Sequence, residues 1–305
     1  MDEALVIARL IHFAAAMAGF GAAAFRLYAL GGVTAGGEAA ALTSFDRWHD
    51  RLLRASALVM LFSALAIVPF IAGQMAGAAS AALDRTTLMV VLSATAFGRV
   101  WCWHLLFVVL LIVSVGVARE RQALGFTWAT LALASLGWVG HAAAGGGWIA
   151  FGHEMNQSVH LLAAGLWLGG LLPLGWLLRR AGQTADGFDV LAQQAVPPFS
   201  QMGYAAVAAI AITGAVNTLM LAGSVDALFG TAYGRLLSLK ILLYLAMVAI
   251  ALRNRFRLTP RLASGCASAT GALYRSVLIE QALGLGILAA VSLLGTWPPA
   301  MTHHH

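Results

Sequence analysis

Eight long apolar runs constrain the fold of this chain more than any other feature. They cover residues 4–30, 52–74, 100–118, 123–144, 156–178, 199–222, 236–252 and 276–296. Each is close to the roughly 20 residues that an α-helix needs to cross about 30 Å of hydrocarbon. Hydrophobic residues make up 61% of the 305 positions and charged residues only 10%, which is not the composition of a water-soluble globule. The sequence therefore predicts an all-α polytopic membrane protein with about eight transmembrane helices.

Basic residues are spread between these runs and predict the orientation of the chain. The net charge is +6, but no single basic domain gathers it, so nucleic acid is not an expected partner. Most of the Lys and Arg residues lie in or beside the loops that follow runs one, three, five and seven. Because Lys- and Arg-rich loops stay in the cytoplasm, both termini are predicted to be periplasmic, that is N-out and C-out.

Two correspondences indicate an internal repeat. The pattern T-A-aromatic-G-R occurs at residues 95–99 and again at residues 231–235, before the third and seventh runs. A weaker correspondence relates His12 in the first run to His160 in the fifth. Since these two runs enter the membrane from the same side, the sequence predicts two parallel four-helix repeats. We place the N-terminal half at residues 1–150 and the C-terminal half at residues 151–302.

Histidines gather at one predicted depth near the outer side of the bilayer. They lie within about one or two helical turns of the outer ends of runs one, three, four and five. The four are His12, His104, His141 and His160. Asn217 and Lys240 are predicted to lie at a similar depth. An ionisable side chain inside a membrane is costly and usually serves a function, so this layer is the predicted functional site.

Imidazoles at one level suit copper, zinc, nickel or haem iron, and nearby thioethers would favour Cu(I). His153 and Met155 lie in a predicted outer loop, and Met17 follows His12 by five residues. Methionine also fills gaps in helix packing, which is the alternative for these thioethers. The predicted metal ligands are His12, His160, His141, His153 and Met155. The predicted pathway or supporting residues are His104, Asn217, Lys240, Glu280 and Met17.

The alternatives to a metal role differ from one residue to the next. His104 stands between two tryptophans and would suit an interfacial aromatic belt. His153 would simply be solvated as a loop histidine, and His49 on the Arg-rich side is predicted to be solvated. Glu280 lies about 12 Å from Lys240 along the bilayer normal, so it is predicted to mark an inner stage of a pathway rather than to pair with that lysine.

The connecting segments give further expectations. Segment 75–99 is apolar enough to form a short surface or re-entrant helix, and segment 181–198 is predicted to be a polar inner linker. Residues 303–305 resemble the remnant of an expression tag. Cys102 and Cys266 fall on opposite sides of the predicted topology, which predicts no disulfide between them.

Motifs along the chain resemble the copper resistance D family, the CopD and PcoD membrane proteins of bacterial copper operons. Its Y-G-R…K…N-R-F…P pattern is matched by Tyr233-Gly234-Arg235, Lys240, Asn254-Arg255-Phe256 and Pro260. Its H-x6-W-x-G-G span is matched by His160, Trp167, Gly169 and Gly170. His12 resembles the first-helix histidine of the family, and residues 297–299 resemble its Trp-Pro-Pro ending.

The resemblance implies an inner-membrane copper protein, a permease rather than an enzyme, that moves copper from periplasm to cytoplasm. It also implies a separate periplasmic CopC-like copper-binding partner. In such a permease His153, Met155 and His141 would capture copper and pass it to His12 and His160 between the two halves. Two alternatives stay open. One is a haem-binding membrane oxidoreductase with axial histidines, and the other is an assembly factor that holds copper without translocating it.

Overall fold

Helices make up nearly all of the chain that the structure describes. A computed structural model describes residues 2–33, 38–117, 122–139, 147–183, 187–222, 225–264 and 267–297. In these ranges the α-helices are α1 (Asp2–Tyr28), α2 (Ala39–Met75), α3 (Arg85–Ala94), α4 (Ala96–Val117), α5 (Gln122–Ser135), α6 (Gly147–Ala181), α7 (Phe188–Ala222), α8 (Val225–Gly230), α9 (Ala232–Arg253), α10 (Thr259–Ala263) and α11 (Ala267–Leu294). The described residues contain no β-strand, so the all-α prediction is confirmed.

Seven described helices are long and apolar enough to cross a membrane, namely α1, α2, α4, α6, α7, α9 and α11. The fourth predicted run forms α5, which has 14 residues and continues as a 3-10 turn at Leu136–Trp138. At rises of about 1.5 and 2 Å per residue, this segment is about 27 Å long, close to the thickness of the hydrocarbon core. The chain is therefore a polytopic membrane protein with seven long spans and one shorter helix in the place of the remaining predicted span.

The alternating direction of these helices gives the bundle two ends of different chemistry. We call the end at which α1, α4, α6 and α9 begin the histidine end, and the opposite end the arginine end. Five described cations lie toward the histidine end: Arg9, Arg85, Arg99, Arg235 and Lys240. The other described Lys and Arg residues lie toward the arginine end.

Helices α1 and α6 run side by side through the centre of the bundle. Their backbones touch at glycines, because a Cβ on Gly21 would overlap the backbone of Gly165 and Gly169. A Cβ on Gly169 would likewise overlap the carbonyl oxygen of Met17. Small residues allow membrane helices to approach this closely. The contact holds the first helices of the two sequence halves parallel and at the same depth.

The outer helices are arranged similarly in the two halves, with one difference. Helices α2 and α5 pack on α1, and α4 packs between them. Helices α7 and α11 pack on α6, and α9 packs on α11. In this second half a cavity lies between part of α9 and α7. The C-terminal half thus contains a cavity on the inner face of α9.

The repeated T-A-aromatic-G-R pattern begins a membrane helix in both halves. The Thr95 hydroxyl accepts a hydrogen bond of 2.9 Å from the Gly98 amide at the start of α4. The Thr231 hydroxyl accepts a bond of the same length from the Gly234 amide at the start of α9. Threonine is a favoured N-cap residue because its oxygen satisfies an amide that the helix leaves unpaired. The repeat in sequence is therefore also a repeat in local structure.

The segment between α2 and α4 folds as the sequence predicts. It contains a 3-10 turn at Ala79–Leu83 and the short helix α3. The Asp84 carboxylate caps α3 by accepting a hydrogen bond of 2.7 Å from the Thr87 amide. This bond, together with one from the Thr87 hydroxyl, lowers the pKa of Asp84.

Two loop predictions were wrong because the helices extend further than the apolar runs. Helix α6 begins at Gly147, so His153 and Met155 lie on its first turns and not in a loop. Helix α7 begins at Phe188, which confines the inner linker to a few residues and places Pro197 and Pro198 inside the helix. Prolines are tolerated in membrane helices because neighbouring groups satisfy the freed carbonyls.

The prediction that His49 is solvated was also wrong. Its side chain is buried on α2, and its Nε2 lies 3.1 Å from the carbonyl oxygen of Ala22 on α1. Alanines at this part of α1 bring its backbone close to α2, so the imidazole reaches a carbonyl that a larger side chain would cover.

The charge difference between the two ends predicts their orientation. With both native cysteines replaced, we expect a cysteine introduced at Glu3 to react with a membrane-impermeant maleimide added to intact spheroplasts. A cysteine at Gln183, at the arginine end, should react only after the membrane is permeabilised, because basic loops stay in the cytoplasm. The reverse labelling pattern would contradict the N-out, C-out orientation.

Candidate metal centre

Two histidine side chains from different helices meet inside the N-terminal half. His12 on α1 and His104 on α4 are 1% and 0% exposed. Their ring centroids lie 4.9 Å apart, and the ring planes are inclined by 62°. We call these two residues the histidine pair.

The hydrogen bonds of His12 define which ring nitrogen carries its proton. Its Nδ1 lies 2.9 Å from the Ser63 hydroxyl oxygen on α2. That hydroxyl donates its own hydrogen to the Val59 carbonyl at 2.5 Å, so it can only accept from the histidine. His12 therefore carries its proton on Nδ1. Its Nε2 bears a lone pair and is buried with no hydrogen-bond partner among the described residues.

His104 is held in the same tautomer by α5. Its Nδ1 lies 3.1 Å from the Ala132 carbonyl oxygen and 2.9 Å from the Ser135 hydroxyl oxygen. A carbonyl oxygen only accepts, so Nδ1 is again the protonated nitrogen. The Nε2 of His104 is likewise buried and without a described partner.

Trp101 covers the histidine pair. Its ring centroid lies 5.5 Å from that of His12 and 5.1 Å from that of His104. The indole nitrogen does not face the pair, because it donates to the Ala64 carbonyl at 3.1 Å. The tryptophan is therefore an apolar wall that keeps water from the two histidines.

Taken together, the pair has the features of a metal site. Two neutral imidazoles each leave one lone pair free, and buried polar atoms without partners are rare in proteins. In metal sites the non-ligating N–H of a histidine is usually held by a carbonyl, carboxylate or water, which fixes the ring for coordination. Here a carbonyl and hydroxyls hold the Nδ1–H groups in that way. The described residues contain no cluster of three or more His, Cys, Asp or Glu side chains, so within them the site offers two protein ligands.

The C-terminal half contains a related arrangement around His160. Its Nδ1 lies 2.9 Å from the Thr213 hydroxyl oxygen on α7, and that hydroxyl donates to the Ala209 carbonyl at 2.5 Å. The ring lies beside Gly214 on the same helix as Thr213. His160 thus has the same tautomer as His12 and the same type of partner on the following helix.

Lys240 occupies the place of the second histidine in this half. It stands nine residues after the capping Thr231, as His104 stands nine residues after Thr95. Its side chain is half-buried and interacts electrostatically with His160. An ammonium group offers no lone pair, so the C-terminal half does not form a second pair of metal ligands while this lysine is charged.

The other predicted site residues occupy different surroundings. His153 is buried and stands two turns before His160 on the same face of α6, about 10 Å along the helix. Met155 is 42% exposed and projects from another side of that helix. Met17 is buried against α6, where its carbonyl faces Gly169. His141 lies outside the described residues.

Asn217 links α7 to the start of α6. Its Oδ1 accepts a hydrogen bond of 2.8 Å from Asn156, and its Nδ2 donates one of 2.7 Å to the Gln157 oxygen. These bonds satisfy its amide group, so in this structure Asn217 holds two helices together at the histidine end. Glu280 lies away from this layer, toward the arginine end, in a separate polar cluster.

Sequence reasoning placed His104 in the layer but did not recognise it as the partner of His12. The signal for this pairing was the helix periodicity of α4, which aims His104 and Trp101 toward one face. That signal does not identify which helix this face of α4 contacts. His104 meets His12 because α4 packs against α2 and α2 packs against α1.

Comparison with known proteins places this arrangement in a family. Residues 1–151 match the family model described as copper resistance protein D-like, N-terminal domain, and residues 193–294 match the model described as copper resistance protein D. The chain belongs to the copper resistance protein D family.

Three relatives agree with this assignment, two of them over nearly their whole length. The chain is 34% identical over 296 residues to the inner membrane protein YebZ of Escherichia coli K12, covering 95% of this chain and 97% of the relative. It is 30% identical to copper resistance protein D of Pseudomonas syringae pv. tomato, covering 99% of both. It is 30% identical over 210 residues to the copper transport protein CutJ of Bacillus subtilis, covering 67% of this chain and 37% of that protein. No solved structure matches the chain.

The tautomers inferred above are directly measurable. In protein with isotope-labelled histidine, nitrogen NMR should assign unprotonated, pyridine-type Nε2 atoms to His12 and His104. The Ser63→Ala variant should alter the signals of His12 and leave those of His49 unchanged, because only the His12 Nδ1–H loses its acceptor. A pyridine-type Nδ1 in either member of the pair would contradict the tautomer assignment.

Proposed function

We propose that this protein is a copper permease of the bacterial inner membrane that moves copper from periplasm to cytoplasm. The observation that carries the proposal is the histidine pair, in which two imidazole rings with centroids 4.9 Å apart each keep a buried Nε2 without a described partner. The same end is predicted to face the periplasm, where such a permease would collect its substrate.

Membership of the copper resistance protein D family favours copper over other metals, because the ligands alone do not select it. Imidazole also binds zinc, nickel and iron. The relatives that cover most of this chain include one named for copper resistance, and a further relative is named for copper transport. A relative of similar length is named as an inner membrane protein, which supports the same location here.

The charges around the pair favour Cu(I) over Cu(II). Both ligands are neutral, and the described residues supply no carboxylate to complete a cluster with them. Arg9 stands one helical turn from His12 on α1 and interacts electrostatically with it. A nearby cation in a poorly solvated site repels a divalent ion about twice as strongly as a monovalent one. Copper(I) also accepts the low coordination number that two imidazoles provide.

The remaining histidine-end residues would serve the approach of copper. His153 lies nearer the start of α6 than His160, so copper entering from the histidine end would meet it first. We place Met155, His141 and His160 on this approach as weaker ligands, and Lys240 as a charge that keeps copper from resting in the C-terminal half. A separate periplasmic CopC-like protein is the expected donor of copper, as the family resemblance implies.

A haem-binding oxidoreductase is disfavoured by the geometry of the pair. Axial histidines stand on opposite faces of the porphyrin ring. The two imidazole ring centroids here lie 4.9 Å apart, which leaves no space for a porphyrin between the rings. A copper-holding assembly factor would use the same pair, and only the movement of copper separates it from a permease.

Removing either histidine of the pair should abolish high-affinity copper binding. Loss of a residue that only supports a metal ligand typically weakens metal binding by about 10–100-fold, and we expect a loss of this size for Ser63→Ala. We expect His12→Ala and His104→Ala each to weaken Cu(I) binding by more than that. The double variant should lose no more than either single variant, because the two ligands act on one ion. Competition with a chromogenic Cu(I) chelator measures these affinities.

His49→Ala is the matched control for these variants. His49 is also buried on a membrane helix, but its Nε2 is bonded to a backbone carbonyl near the arginine end. The control should keep the affinity of the wild-type protein. Unchanged affinity in both His12→Ala and His104→Ala would refute the pair as the copper site.

Copper movement needs its own measurement. Proteoliposomes that contain the wild-type protein and an enclosed Cu(I) indicator should accumulate copper faster than those containing His12→Ala, since the pair is proposed to lie on the pathway. The rate in empty liposomes gives the baseline. Wild-type binding without flux above this baseline would contradict the permease and favour the assembly factor.

A further inference from the structure

The C-terminal half contains a cavity toward the arginine end, far from the histidine pair. It has a volume of about 90 Å³ and lies between α6, α7, α9 and α11. Its walls run from Trp167 and Glu280 to Arg255 and Thr259, just beyond the end of α9. One water molecule needs about 10–15 Å³ of such a cavity, so several waters fit.

Glu280 forms the polar wall of this cavity. Its side chain is 2% exposed, and its Oε1 accepts a hydrogen bond of 2.7 Å from the Asn254 amide. The Trp167 indole also donates to this carboxyl group. Asn254 is fixed in turn, because its Oδ1 accepts a bond of 2.7 Å from the Ser276 hydroxyl. Groups from α6, α11 and the turn after α9 therefore converge on a single carboxyl.

The charged and titratable groups around Glu280 are few. Arg255 and Tyr204 line the same cavity, and the Arg255 guanidinium lies 5.7 Å from the centre of the Tyr204 ring. Tyr244 on α9 contacts the Trp167 ring, and its hydroxyl donates to the Val207 carbonyl. On α1, the cation that approaches α11 is Arg9, at the far end near Gly295. Among the described residues no cation lies within 4 Å of the Glu280 carboxyl.

We propose that Glu280 is a proton-exchange site that water reaches through this cavity from the arginine end. The step is the reversible addition of one proton to the carboxylate, with no other bond formed or broken. Both forms have partners: Asn254 and Trp167 donate to the carboxylate, and cavity water accepts from the O–H of the neutral acid. An ionisable group at this depth is costly, and such groups commonly mark proton pathways.

The proton site stands independently of copper, and its coupling to copper rests on the proposed function. The site lies on the opposite side of the bundle from the histidine pair. A permease that exchanges protons for copper needs a proton-binding group accessible from the side where copper leaves. The cavity extends from Glu280 toward the arginine end, because Arg255 and Thr259, which also line it, follow α9 there.

Infrared difference spectroscopy tests proton binding directly. A step from mildly alkaline to mildly acidic pH should increase the carboxylic-acid C=O band in the wild-type protein. Glu280→Gln should lose this component, whereas Glu154→Gln, a matched change at the histidine end, should retain it. Identical difference spectra for the wild type and Glu280→Gln would overturn the proposal.

Water access is tested without altering Glu280, which keeps the test valid if its variant does not fold. Ser200 lines the cavity, and Ala192 is fully buried on the same helix outside it. In a cysteine-free background, Ser200→Cys should react at least tenfold faster than Ala192→Cys with a charged thiol reagent. Equal, slow reaction of both would mean that lipid and not water fills the cavity, and would overturn the proposed route.

The coupling is tested in the copper-loading proteoliposomes. An imposed pH gradient should change wild-type copper flux severalfold, and Glu280→Gln should lose this dependence while keeping the wild-type Cu(I) affinity of the histidine pair. A wild-type protein without copper flux would refute the proposed permease and leave the infrared result to decide the proton site. If copper flux in Glu280→Gln still depends on the pH gradient, coupling through this residue is refuted.

Discussion

The backbone contact between α1 and α6 is the constraint on which the site geometry depends. At Gly21 and Gly169 no side chain fits between the two helices, because a Cβ at either position would overlap the backbone of the other helix. The histidines of these two helices bond to different neighbours, His12 to α2 and His160 to α7. Each of these two histidines is therefore hydrogen-bonded within its own half.

Within each half, a hydroxyl group determines which ring nitrogen of the histidine carries the proton. Serine or threonine in a membrane helix donates its hydrogen to a carbonyl of the preceding turn, which leaves its oxygen as an acceptor. Ser63 and Thr213 both do this and so hold the protonated Nδ1 of the histidine on the neighbouring helix. The free Nε2 then follows from the hydrogen-bond inventory of imidazole. The halves differ at the residue nine positions after the capping threonine. There His104 supplies a second lone pair in the N-terminal half, and Lys240 supplies a charge in the C-terminal half.

The difference between the halves extends to their packing. In the N-terminal half α4 packs against both neighbours, and the histidine pair is buried beside the Trp101 ring. In the C-terminal half a cavity between α7 and α9 reaches Glu280. A buried pair of neutral imidazoles suits a soft metal ion, and a carboxyl group beside a cavity suits a proton, which are the roles that we propose for the two halves.

The sequence by itself determined the class of protein, the position of the membrane helices and the repeat, because apolar run length and the capping threonines are local properties of the chain. It also placed His12, His104, His160 and Lys240 in one layer, since depth follows from position along a helix. Only the tertiary structure decided which of these side chains meet. The pairing of His12 with His104, the burial of His49 and the cavity at Glu280 depend on how helices rotate and pack, and glycine contacts between distant segments set that rotation.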